Sequence, residues 1–96
     1  MALDKLIVEN RSKILEIASS HGAQKIRVFG SMARGNADPG SDVDFLVDLE
    51  EGRDLFDLGA LLMDLQHLLR RKVDTVTEAA LHRRIRGHIL KEAVTL

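Results

Sequence analysis

The stretch VFGSMARGNADPGSDVDFLVDLE, Val28 to Glu50, joins two strand-like pieces through a loop. Upstream, KIRVF (25–29) is short, β-branched and aromatic, and reads as a strand. SMAR can form only a brief turn of helix. GNADPGS is the clearest loop of the chain, with the only proline, Pro39, between Asp38 and Gly40. DVDFLVDL (42–49) reads as a second strand, and it carries a problem. Asp42 and Asp44 sit one residue apart, and a buried carboxylate without a partner is costly. Side chains along a strand alternate with a period of two. The two aspartates are therefore expected on one face, with Val43, Phe45 and Val47 on the other. Like charges that close raise each other's pKa unless something positive lies between them. A divalent cation is the simple solution, because Mg²⁺ takes hard oxygen ligands with water and phosphates completing its shell. Asp42 alone would read as a turn residue. On the residues alone, a metal cluster and a purely structural pair are both open.

Working outward, residues 3–20 read as a helix, with Leu3, Ile7, Ile14 and Ala18 on one stripe and Gly22 as the stop. Asp54 can cap a leucine-rich helix over 55–70. KVDTVT (72–77) is a third strand, and a last helix covers about 81–93, weakened at Gly87. The order helix, strand, short helix, strand, helix, strand, helix implies an α/β (α+β) layer fold around a small mixed β-sheet. The long crossover 50–77 permits parallel pairing of the second and third strands. The short connection 30–41 leaves antiparallel pairing of the first two equally open. The third strand also holds one acid, Asp74. If it neighbours the second strand, Asp74 can close a cluster of three carboxylates.

Composition narrows the classes. A chain of 96 residues suits one small domain, 1–96, and 45% apolar residues favour a packed core over disorder. With no cysteine, disulfide frameworks and cysteine-based zinc sites are excluded. No apolar run approaches the roughly 18 residues of a membrane span. The N-terminal MALDKLIVENR lacks a signal-peptide pattern, so a cytoplasmic protein is expected. A net charge of −1 and 3% aromatic residues, with no Tyr or Trp, give no footprint for direct nucleic-acid binding.

Gly30 and Ser31 follow the first strand at once. Gly30 lets backbone approach a ligand, and Ser31 offers a hydroxyl and an N–H. Arg34 is a candidate fork for phosphate or carboxylate. Such a glycine-serine pair is common in turns, and its force comes from position. One strand ends in a phosphate-sized nest, and the next begins with two carboxylates suited to a metal. Phosphate and metal together describe nucleoside triphosphate chemistry.

With Gly30 and Ser31, then Asp42 and Asp44, then Asp74 on a later strand, the chain resembles the polymerase-beta-like nucleotidyltransferase superfamily. GSMARG and SDVDFLVDL are similar to its minimal members, encoded beside HEPN-domain partners in prokaryotes. The resemblance covers nearly the whole chain and implies a palm-like mixed sheet flanked by helices. It implies two Mg²⁺ ions, with Asp42 and Asp44 binding both ions and the triphosphate of ATP. Asp74 would bind the ion that activates the attacking hydroxyl, and Gly30 and Ser31 would hold the β- and γ-phosphates. The implied reaction moves a nucleoside monophosphate to a hydroxyl and releases pyrophosphate, which suits a two-metal clamp. Ser31 is then a phosphate ligand, and no serine-histidine-acid arrangement points to nucleophilic catalysis. The resemblance further implies an antitoxin that adenylylates a tyrosine on a HEPN toxin.

Three functions stay open. The first is that protein adenylyltransferase, with the partner supplying the acceptor surface that so short a chain leaves out. The second is a non-catalytic antitoxin that occludes its partner, suggested by the breadth of the 55–70 helix, where Leu55, Phe56, Leu58, Leu61, Leu62, Leu65, Leu68 and Leu69 exceed a narrow stripe. The third is a small-molecule transferase of the antibiotic-modifying type. Self-association is possible. Asp48 reads as a solvated edge residue and Asp38 as a loop cap. Met32 and Met63 read as packing residues, His21 as a helix-end residue, and Arg83, Arg84 and Arg86 as a solvated face.

Overall fold

The computed structural model describes residues 3–96. Lys5–Ser20 form α1, Ala23–Phe29 β1, Ser31–Arg34 α2, Val43–Leu49 β2, Leu55–Leu69 α3 and Val73–Val76 β3. A 3₁₀ turn at Glu78–Ala80 then leads into α4, Arg83–Glu92, and β4, Val94–Thr95. The strands form one sheet in the order β3-β2-β1-β4. β1 runs antiparallel to β2 and to β4, while β2 and β3 are parallel. The sheet is thus mixed, as the connection lengths imply.

Local chemistry sets the boundaries. Asp4 caps α1 by accepting from the Leu6 N–H at 2.9 Å, and Gly22 at φ 79° turns the chain out of it. Asp54 and Asp57 form a reciprocal capping box at the start of α3, an arrangement that satisfies orphan N–H donors of the first turn. His82 caps α4, its Nδ1 accepting from the Arg84 N–H at 3.1 Å. That cap moves the helix start from the expected 81 to 83 and leaves Leu81 extended.

The core lies between one sheet face and helices α1 and α3. Ile7, Ile14 and Ala18 of α1 meet Ile26 and Val28 of β1, Val43, Phe45 and Val47 of β2, and Leu58, Leu61, Leu65 and Leu69 of α3. The expected stripe of α1 is the one buried. Of the other α3 leucines, Leu62 and Leu68 pack partly buried against this core and Leu55 is exposed. Leu55 and Phe56 remain 79% and 87% exposed, and Met63 is also exposed, which corrects its reading as a packing residue. Leu46 is fully buried on the opposite sheet face, the side toward which Glu78 reaches to pair with Arg27.

Candidate active site

The acids sit where the sheet register puts them. In the β2–β3 pair, Asp44 is directly opposite Asp74, so residues separated by thirty positions share one face of the sheet. In the β1–β2 pair, Phe29 is opposite Asp44. The next residue, Gly30, therefore arrives beside the Asp44 carboxylate. Its backbone, φ 76° and ψ −154°, is a conformation that only glycine adopts readily. A Cβ at this position would lie 2.8 Å from Asp44 Oδ2. Gly30 is thus required twice, for its dihedral angles and for the space that the carboxylate fills.

Asp42 lies just before β2, not within it as expected. The ladder begins one residue later, where the Val43 N–H donates to the Lys72 carbonyl at 2.9 Å. Asp42 and Asp74 are exposed, and Asp44 is half-buried. The Asp44 carboxyl is pushed above its ordinary value, first by burial, then by the charges of Asp74, Asp42 and Glu92. Of these four acids, Glu92 is paired with Arg34, while Asp42, Asp44 and Asp74 have no ion-pair partner among the described residues. Hard oxygen donors under that repulsion fit a divalent cation such as Mg²⁺. Among the described residues, no three His, Cys, Asp or Glu side chains already converge on one point to hold an ion.

Ser31 opens α2 directly after Gly30, and Gly35 in the left-handed region closes it. Arg34 projects from the same turn, and its Nη1 donates to Glu92 Oε1 at 2.5 Å. The second oxygen of Glu92 accepts from the Gly30 N–H at 2.8 Å. Burial works to raise the Glu92 carboxyl, yet the Gly30 N–H, Arg34 and His88 together hold it below the usual range. Glu92 is the site residue that the motif reading misses. It stands on a helix that otherwise reads as basic, and only the return of the chain through β4 brings it against β1.

Other acids are explained without chemistry. Asp38 accepts from the Gly40 N–H and the Ser41 hydroxyl within its own loop, as expected. Asp48 lies past the end of the β2–β3 ladder with its side chain 40% exposed, as expected of a solvated residue at the strand's end. It lies 3.4 Å from Arg27, which also faces Glu78. His21 pairs with Asp64 at 2.6 Å, joining the end of α1 to α3. Arg86 is bonded to Glu78, so the basic face of α4 is partly neutralised.

A palm-like mixed sheet with a glycine-serine turn above facing aspartates defines a minimal nucleotidyltransferase of the polymerase-beta-like superfamily. The family model for the nucleotidyltransferase domain matches residues 11–96. The chain belongs to that family and is a nucleotidyltransferase. A Methanocaldococcus jannaschii protein provisionally named a protein adenylyltransferase is 39% identical over 88 residues, which span 92% of this chain and 95% of that one. The protein adenylyltransferase MntA of Thermococcus cleftensis is 40% identical over 79 residues, 82% of this chain and 80% of its own. A solved structure provisionally described as a minimal nucleotidyltransferase superposes with a TM-score of 0.85 at 43% identity, covering 98% of this chain and 97% of that one. A chain in a toxin–antitoxin crystal structure with AMP-PNP gives 0.76 at 23% identity, over 90% of this chain and 71% of that one, a likeness of fold. Among the described residues, no helix is long and apolar enough to cross a membrane.

Proposed function

We propose that this chain, acting as one domain, is a Mg²⁺-dependent protein adenylyltransferase. It transfers AMP from ATP to a tyrosine hydroxyl of a HEPN-type toxin and so acts as the antitoxin. The observation that carries the reading is the facing of Asp44 and Asp74 beside Gly30, in a chain about as similar to MntA as 40% identity makes it. AMP-PNP in the toxin–antitoxin relative of the same fold supports ATP as the nucleotide.

Each residue has a part. Asp42 and Asp44 would hold both ions with the triphosphate, and Asp74 would hold the ion on the acceptor side. Ser31 and Arg34 contact phosphate, while Gly30 provides clearance for Asp44. The ions, when bound, neutralise the triphosphate and lower the pKa of the attacking hydroxyl. The tyrosine oxygen forms a bond to the α-phosphorus. The bond from that phosphorus to the α–β bridging oxygen breaks, pyrophosphate leaves, and the hydroxyl proton passes to solvent. In-line alignment dominates the rate, and a misplacement of about 1 Å can cost roughly a hundredfold. The partner supplies that alignment by docking.

The exposed Leu55, Phe56 and Met63 of α3 give an apolar surface for such docking. They also favour a second reading, in which binding alone neutralises the partner. Incubating the chain with a HEPN protein and ATP labelled at the α-phosphate separates the two. Transfer of label that needs Mg²⁺ and is lost in Asp42→Ala, Asp44→Ala or Asp74→Ala variants supports the enzyme. Full neutralisation by an Asp42→Ala, Asp44→Ala double variant, with no label transferred by the wild type, supports occlusion.

A further inference from the structure

Glu92 stands on donors that belong to the glycine-serine turn. Its side chain is only 11% exposed. One oxygen is taken by the Gly30 N–H at 2.8 Å and the other by Arg34 at 2.5 Å. His88 Nε2 stands 3.7 Å from the same oxygen as Arg34. A carboxylate so placed and doubly bonded does not leave cheaply, because departure leaves the part-buried Gly30 N–H without its acceptor and breaks the ion pair with Arg34. A guanidinium has five N–H donors in a rigid plane, and Glu92 uses one Nη of Arg34. The Arg34 side chain is still 45% exposed, which leaves it accessible to a ligand. Untethered, a long arginine on a four-residue helix would sample many rotamers and lose entropy on meeting a ligand.

We propose that Glu92 is a positioning residue for the nucleotide: it fixes the Arg34 guanidinium and the Gly30 turn in the orientation that receives the phosphates of ATP. The inference rests on the reading of Arg34 as a phosphate contact. It assigns to α4 a role in the site that the three-acid pattern does not contain.

Calorimetric titration of the full chain with ATP and Mg²⁺ tests it, using wild type, Glu92→Gln, Arg34→Ala and the double variant, with melting temperatures taken alongside. Glutamine still accepts from the Gly30 N–H but loses the ion pair. Binding by Glu92→Gln should be about tenfold weaker, the scale of one charge-assisted hydrogen bond. If Glu92 acts through Arg34, the double variant should bind as Arg34→Ala does. Wild-type or tighter affinity in Glu92→Gln would overturn the proposal, tighter binding marking Glu92 as a competitor for the donors. The same loss with Arg34 already removed would also overturn it. Should Glu92→Gln fail to fold, Arg34→Lys on the half-exposed side chain carries the test. Lysine keeps the charge but not the planar fork, so several-fold weaker binding supports the proposal and unchanged affinity overturns it. Absence of ATP binding by the wild type would overturn the nucleotide reading itself, and the inference with it.

Discussion

Asp44 on β2 and Asp74 on β3 face each other directly across a parallel strand pair. Two carboxylates so placed repel, and Asp42 and Glu92 add to that repulsion. The arrangement costs stability in the protein alone, a cost that a divalent cation would offset under the proposed function. Such a trade of stability for chemistry is typical of functional sites.

Asp44→Asn should abolish transfer while leaving the metal-free fold intact or firmer. The amide keeps the shape and cannot take up the charge. Because the folded state raises the Asp44 pKa above its ordinary 3.8, the native state binds this proton more tightly than the unfolded chain. The contribution of Asp44 therefore favours folding in acid and is lost as pH rises from about 3.8 through the raised value. In chelator near neutral pH, the variant should melt at or above the wild-type temperature. A large fall in melting temperature would show that Asp44 is a structural hydrogen-bond acceptor.

Gly30→Ala should damage both fold and activity. The backbone at φ 76° costs a side-chain-bearing residue about 1–3 kcal/mol. The new methyl would also press on Asp44 Oδ2 at 2.8 Å. Denaturant unfolding should report that loss, and transfer per folded molecule should fall as well. An active, fully stable variant would remove Gly30 from the account.

Asp54→Ala separates stability from chemistry. It removes half of the capping box on α3, worth about 1 kcal/mol. The melting temperature should drop by about 4–8 °C, while transfer measured on folded protein stays unchanged. A loss of transfer at a temperature where the variant is folded would mean that the start of α3 shapes the site.

Phe56→Ser addresses docking. With 87% of the ring exposed, the substitution should leave stability within about 0.5 kcal/mol of wild type. If this end of α3 meets the partner, the complex should weaken and ATP binding should not. Equal affinity for the partner would move the interface elsewhere.

The fold was legible where local chemistry and pattern agree. Period-two alternation around Val43, Phe45 and Val47 marks β2, and the long crossover to β3 permits the parallel pairing that unites Asp44 with Asp74. The antiparallel β1–β2 pair was open on loop length, because the twelve-residue connection 30–41 allows either sense. β4 was hidden, since Val94–Thr95 is two residues long and follows a helical pattern without a turn signal. With β4 unseen, nothing in the sequence could bring Glu92 to Gly30, a contact across 62 positions. The exposure of Met63 was equally invisible, because leucine and methionine on three sides of α3 do not declare which side faces the sheet.

Intact-mass spectrometry of the HEPN-type partner, after incubation with this chain, ATP and Mg²⁺, tests the central claim most directly. One added adenylate per transfer is expected, mapped to a tyrosine, and absent when Asp42, Asp44 or Asp74 is replaced. An unshifted partner mass with wild-type protein, while the partner is nevertheless inhibited, would contradict the account.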